Sequence, residues 1–316
     1  MLGKGKLKKT DENTEMMHWS NGKLSPGKKS IDSMNYSLHY ASPTIWEGIR
    51  AYQCSDGSTK ILKLKEHMLR LLDSAKIMGI KLPYDLNQLM DAANAVVTAN
   101  GGGDLYLRPI AYSLGDGRKA KPQDSEIGVD IYAFPVPPLH SDKKGIKCII
   151  SSHRRGYPQF QMQAKTAANY ASLQLVKSEL DATGADDALL MDNNGHIVEA
   201  TVTNIFVIKG DYIMTPPNDG SILQGITRAT LAELITDPTL MFVKHKKRPM
   251  VVEKKITRAD LYTADCVMLV GTYAEVVNVL EIDGRTIGSA ETHNYFRILK
   301  AEYENLTRMP SKEKAT

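Results

Sequence analysis

The chain has 316 residues, with 40 Lys and Arg against 36 Asp and Glu, a mild net charge of +4, and 42% apolar residues. That is too apolar for a disordered protein and excludes fibrous, collagenous and mini-protein readings. Roughly two domains are expected, because single cores stop growing at about 250 to 300 residues.

Residues 1–15 are rich in Gly, Lys and acidic side chains and cannot offset their own ordering entropy, so a disordered tail is expected. Asp11, Glu12 and Glu15 fall where a secretory peptide needs its apolar stretch. No run approaches the ~20 apolar residues of a membrane span, so a soluble, cytoplasmic protein is expected. A small domain over 16–134 follows. Met68, Leu71, Leu72, Ala75 and Met78 recur at three- and four-residue steps, which predicts an amphipathic helix from Leu64 to Gly79. A second helix is predicted from Leu86 to Ala99, stopped by Asn100 and the glycines at 101–103. Strands are predicted at Ile45 to Tyr52, Leu105 to Tyr112 and Ile127 to Phe134.

Pro135, Pro137 and Pro138 lack amide hydrogens and have a fixed φ, so 135–145 reads as an interdomain linker. A large domain over 146–316 opens with a strand at Ile146 to Ser151 and a helix at Thr166 to Ala182. A hairpin over Asp187 to Lys209 turns at Asn193-Asn194-Gly195. Strands at Tyr212 to Thr215, Cys266 to Val270 and Glu275 to Leu280, and helices at Thr227 to Ile235 and Glu291 to Leu306, complete it. Without even alternation of strand and helix the fold class is α+β, or irregular α/β. Cys54, Cys148 and Cys266 are odd in number and far apart, which reads as reduced core thiols. The eight histidines have no ligand spacing, and no metal site is expected.

Four segments could carry chemistry. Lys165 stands among small and apolar residues in Gln161-Met-Gln-Ala-Lys165-Thr-Ala-Ala-Asn-Tyr170. Lost solvation would lower the pKa of such an amine and make it nucleophilic toward a carbonyl, although most such lysines snorkel to water. In Leu223-Gln-Gly-Ile-Thr-Arg228, Gly225 permits a turn, and the amides of Ile226 and Thr227 would open a helix and suit a phosphate. Thr227 could instead be a plain N-cap. Gly271-Thr272 is a turn between apolar strands that could add a phosphate ligand or do nothing. Glu199 lies on an apolar strand and wants a partner, either a protonated ring nitrogen or a structural cation.

Together with Trp46-Glu-Gly-Ile-Arg50, Lys65-Glu-His-Met-Leu-Arg70, Tyr106-Leu-Arg-Pro109 and Asn204-Ile-Phe206, these segments resemble in order and spacing the branched-chain amino acid aminotransferases. Those are pyridoxal 5′-phosphate (PLP) enzymes of fold type IV, with two domains, and the resemblance runs from about Met17 to about Leu306. It implies that Lys165 forms the internal aldimine and shuttles the substrate proton. It implies that Glu199 keeps the pyridine nitrogen protonated and that Tyr170 meets the cofactor O3′. Arg70, Gly225, Ile226, Thr227, Gly271 and Thr272 match the phosphate cradle.

The same resemblance places Tyr40, Trp46 and Tyr106 along the substrate, with Arg108 for the distal carboxylate of glutamate and the turn at Thr272 and Tyr273 for the α-carboxylate. The alternative for Arg108 is a structural arginine closing a strand pair. Trp46, Tyr273 and Thr203 stand where the family more often has phenylalanine, alanine and glutamate, and the loop Gly115 to Pro122 is more basic than expected. The expected activity is transfer of the amino group of L-leucine, L-isoleucine or L-valine to 2-oxoglutarate, as in branched-chain amino acid biosynthesis, by a homodimer or higher homo-oligomer. The alternatives are a D-amino acid or (R)-amine aminotransferase or a lyase of the same fold. A distant one is a nucleic-acid-binding protein built on Lys244 to Arg248, whose charges read as a solvated face, so neither a nucleic-acid nor a membrane partner is expected.

Overall fold

Two β-sheets carry the structure, one built from the chain before Pro135 and one from the chain after it. The computed structural model describes residues 15–118, 125–155, 162–237, 249–289, 292 and 294–310. The tail at 1–14, much of the basic loop before Pro122 and the run Lys244 to Arg248 lie outside them.

The first sheet has seven strands: β1 (Met17–Ser20), β2 (Lys23–Pro26), β3 (Thr44–Trp46), β4 (Ile49–Gln53), β5 (Thr59–Ile61), β6 (Leu105–Ser113) and β7 (Ile127–Phe134). Their order is β2-β1-β7-β6-β4-β5, with β3 also on β6, and neighbouring strands are antiparallel. A short helix, α1 (Tyr36–Tyr40), precedes β3. Helices α2 (Leu64–Ile77) and α3 (Leu86–Ala99) lay Met68, Leu71, Leu89 and Val96 against Ile49, Leu107 and Ile131. The start of α3 is fixed by a capping box in which Asp85 and Gln88 each bind the other's backbone N–H.

The second sheet has nine strands: β8 (Ile146–Arg154), β9 (Asp187–Met191), β10 (Ile197–Ala200), β11 (Asn204–Lys209), β12 (Tyr212–Thr215), β13 (Met250–Glu253), β14 (Cys266–Gly271), β15 (Glu275–Ile282) and β16 (Arg285–Thr286). The order is β10-β9-β8-β15-β14-β11-β12-β13, with β16 on β15, and parallel and antiparallel pairs are mixed. Helices α4 (Leu173–Thr183), α5 (Ile226–Thr236), α6 (Arg258–Tyr262) and α7 (Asn294–Arg308) complete the chain. Leu231 and Ile235 of α5 and Leu299 and Tyr303 of α7 pack on Phe206, Met268 and Val276 of this sheet. Cys54, Cys148 and Cys266 are buried and free.

Three predicted elements are divided in the structure. The strand at Ile45 to Tyr52 is two, β3 and β4, with Glu47 and Gly48 between them, although both pair with β6 in one register and Glu47 N–H still donates to Pro109 O. The helix at Thr166 to Ala182 is a short 3₁₀ turn, Ala167–Tyr170, followed by α4. Thr166 is extended, with its hydroxyl donating to Thr44 O, and Asn169 donates to Ala164 O. Such local side-chain bonds compete with the helical ladder. The hairpin at Asp187 to Lys209 ends at Ala200, and β11 goes instead between β12 and β14.

The two sheets are tied by Arg50, an arginine of β4 that is only 3% exposed. It donates to Thr272 O and Tyr273 O, in the turn after β14, at 3.1 and 3.3 Å, and to Val136 O at 3.1 Å. Arg50→Met leaves three carbonyls without this donor and Glu275 without its cation. We expect a loss of about 3 kcal/mol, read as a lower urea midpoint at unchanged slope.

Candidate active site

Lys165 lies where the first sheet meets the second, with its main chain held from both sides. Its N–H donates to Ser74 Oγ of α2 at 3.0 Å, and its carbonyl accepts from Trp46 N–H at 3.0 Å. The side chain is 9% exposed, and Nζ is 2.7 Å from the Tyr170 hydroxyl and 3.8 Å from the centre of the Trp46 ring. The 3₁₀ turn that replaces the expected helix is what brings Tyr170 back to the amine five residues earlier. Both residues line a cavity of about 380 Å³.

One end of the cavity is built for an anion. Gly225, not Thr227, is the N-cap of α5; no side chain among the described residues caps the helix start, and Ile226 and Thr227 open it. Uncapped first-turn amides and the helix dipole favour a phosphate. A side chain at 225 is excluded, since its Cβ would stand 1.8 Å from Asn204 Oδ1. Arg70 of α2 closes this end by donating to Gln224 O at 2.7 Å, and Gly271 and Thr272 line the same cavity.

Arg70 is itself held by Glu47, in the break between β3 and β4. Glu47 is fully buried and accepts from Arg70 Nε at 2.6 Å and Nη2 at 2.8 Å. His67 Nδ1 is 2.7 Å from the same carboxylate. Burial acts to raise the Glu47 carboxyl, but the charge and hydrogen bonds of Arg70, helped by His67, overcome it and hold the group far below the usual carboxylate range. Burial also pushes the His67 imidazole down, against the pull of Glu47, so the ring is neutral at pH 7 and donates to the carboxylate.

At another wall Glu199 of β10, 3% exposed, pairs with Arg155 and accepts from Asn204 Nδ2 at 3.3 Å. The structural cation that the sequence left open is therefore Arg155, which is 6% exposed and follows β8. Sequence reasoning missed it. The doublet Arg154-Arg155 at the end of an alternating strand was the available signal, because one of two consecutive residues must turn inward.

Of the candidate substrate residues, Trp46, Tyr106, Arg108, Thr272 and Tyr273 line the cavity and Tyr40 does not. Tyr40 is 47% exposed on α1 and stacks near Tyr36. The Tyr106 ring is 5.3 Å from the Tyr273 ring and approaches the backbone at Gly48, where a Cβ would be 2.0 Å from the Tyr106 hydroxyl. The Arg108 Cζ lies 4.2 Å from the Trp46 ring centre. Thr203 and Leu139 complete this side, and the buried Thr203 hydroxyl has no hydrogen-bond partner among the described residues.

Glu47→Gln keeps the shape of the carboxylate and leaves Arg70 unpaired, which should cost about 3 kcal/mol at pH 7. The unfolded Glu47 takes up its proton near the ordinary value of 4.5 while the folded one stays charged. Its contribution is thus complete above that range and declines as pH falls through it. The depressed His67 acts in the same sense from its ordinary 6.5 downward. Denaturant unfolding from pH 7 to pH 3 should therefore bring the stability of the native protein toward that of Glu47→Gln.

Comparison with known proteins accounts for this arrangement. The family model for amino-transferase class IV matches residues 44–282. The branched-chain-amino-acid aminotransferase of Pseudomonas aeruginosa is 32% identical over 293 residues, 91% of this chain and 92% of that one. The crystal structure of a branched-chain aminotransferase from Thermoproteus uzoniensis with norvaline has a TM-score of 0.85 at 31% identity, covering 95% of this chain and 96% of the other. For that of the Escherichia coli branched-chain amino acid aminotransferase the values are 0.84 and 30%, with 95% and 98% covered. With a buried lysine against a tyrosine, an acid at the far wall and an open helix start between them, the chain belongs to the class IV aminotransferases and has their fold.

Proposed function

We propose that this protein moves the amino group of L-leucine, L-isoleucine or L-valine to 2-oxoglutarate, with pyridoxal phosphate as the carrier and Lys165 as its anchor. The observation that carries this reading is the 2.7 Å approach of Lys165 Nζ to the Tyr170 hydroxyl in a cavity that also holds Glu199 and the uncapped start of α5. Class IV aminotransferases use this cofactor, and the residues present fit it: an amine for its aldehyde, a carboxylate for its ring nitrogen, and free amides with Arg70 for its phosphate. When bound, it supplies an aldehyde for the amino group and a ring that accepts the electron pair left on the substrate α-carbon.

The chain's own groups do the rest. Arg70 and the amides of Ile226, Thr227 and Thr272 grip the phosphate, with Gly225 and Gly271 giving the backbone room to approach it. This grip fixes the ring against Lys165. Lys165 would anchor the cofactor by its aldehyde and serve as the base for the substrate α-proton. Tyr170 holds the amine by its hydroxyl, and Glu199, held between Arg155 and Asn204, would keep a proton on the ring nitrogen. Trp46 and Tyr106 give the side chain an apolar wall, Arg108 receives a distal carboxylate, and the turn at Thr272 and Tyr273 receives the α-carboxylate.

The reading includes a homodimer acting in the cytoplasm. Met34, Leu38, Tyr40 and Leu114 are exposed around α1, and a second copy over this face would turn Tyr40 toward the partner's cavity. Among the described residues no helix is long and apolar enough to cross a membrane. We also propose 16–134 and 146–316 as the two domains, joined by 135–145.

The test is the visible spectrum of the purified protein. L-Leucine should bleach the yellow cofactor band and 2-oxoglutarate should restore it. Bleaching by D-alanine or an (R)-amine, with none by L-leucine, would sink the reading. Lys165→Ala should lower leucine turnover by about 10³-fold or more, and Tyr170→Phe by about 10-fold, in steady-state assays.

A further inference from the structure

Arg108 stands in the cavity wall without a counter-charge. Among the described residues it forms no ion pair with a carboxylate, and its Nε is buried with no hydrogen-bond partner. Its flat face is nonetheless occupied, with Cζ 4.2 Å from the Trp46 ring centre and 5.4 Å from that of Tyr106. A guanidinium offers two different surfaces, a weakly hydrated face that stacks on aromatic rings and an edge of N–H donors that fits a carboxylate. Here the face is taken by the indole, while the edge meets the Tyr106 hydroxyl and, among the described residues, no carboxylate.

We propose that Trp46 sets the balance between apolar and anionic substrates by holding the Arg108 guanidinium against the wall. The inference rests on the branched-chain reading of the site and adds a specificity-determining residue to it. With a leucine-like side chain in the cavity the stack persists, and the cation is stabilised by the ring quadrupole. With a five-carbon dicarboxylate the edge turns to the anion and part of the stacking is given up. Weakening the stack therefore favours the dicarboxylate. Indole is the strongest of the aromatic partners for a cation, and phenyl is weaker and smaller.

The experiment uses the holoenzyme and two unreactive probes of matching length, 4-methylpentanoate and glutarate, with binding measured by isothermal calorimetry. In Trp46→Phe the ratio of the 4-methylpentanoate Kd to the glutarate Kd should rise at least about 3-fold. In an Arg108→Leu background the same substitution should leave the ratio where Arg108→Leu puts it. An unchanged ratio in Trp46→Phe overturns the proposal. So does a change that persists without Arg108, because Trp46 also touches Lys165 Nζ and would then be acting through the amine or through general packing. Should Trp46→Phe fail to fold, Trp46→Tyr carries the same test with the same expected direction. Calorimetry needs no turnover, so failure of the leucine assay counts against the proposed function alone, and an unmoved ratio counts against the role of Trp46 alone.

Discussion

A fully buried carboxylate, Glu47, is the constraint on which the site depends. A charge without water is tolerated only when it is matched, and Glu47 is matched twice, by a two-point bond from Arg70 and by His67. The consequence reaches beyond the pair. Arg70 is thereby fixed in direction and delivered to Gln224 O, one residue before the open start of α5. A side chain of the first sheet's helix thus meets a helix start of the second half, and the anion end of the cavity is made by their meeting.

The neighbours of Glu47 work on the other end. Trp46 N–H binds the carbonyl of Lys165, and the Trp46 ring lies against its amine. Gly48 lets the Tyr106 hydroxyl come where any Cβ would block it. Two residues on, Arg50 holds the carbonyls of Thr272 and Tyr273 and so sets which way that turn faces. The short stretch between β3 and β4, with its neighbours Trp46 and Arg50, therefore positions the Lys165 amine, Arg70, the Tyr106 ring and the turn at Thr272. The alternation of an extended chain is what allows this, since Trp46, Gly48 and Arg50 share one face while Glu47 faces α2 on the other.

This also explains what was legible in the sequence. Helices α2 and α3 and strands β6, β7 and β12 followed from apolar periodicity and turn chemistry, since their apolar faces are the core. Periodicity failed where local side-chain bonds redirect the backbone, as at Thr166 and Asn169 within the expected helix. The short elements β1, β2, β5, β13, β16, α1 and α6 carry too few residues for a period to declare itself. Lys165, Glu199 and the Gly225 turn were visible because each breaks a local expectation, and Tyr170 was reached only through the family resemblance. Arg155 was not, because a basic doublet at a strand end reads as solvated unless the strand's facing is known.

The charges around the cavity then follow a simple division. Arg70 is matched by Glu47 and Arg155 by Glu199, so each carboxylate is already satisfied before any ligand arrives. Glu199 is therefore held in place without depending on a ligand for its burial. Lys165 and Arg108 are the basic groups left with no carboxylate among the described residues, and both lie against the same indole. The cavity is thus basic in excess at two points, the Lys165 amine and the Arg108 guanidinium. The indole between them stabilises both without adding a negative charge, whereas a carboxylate at position 46 would pair with Arg108 and remove one of the two.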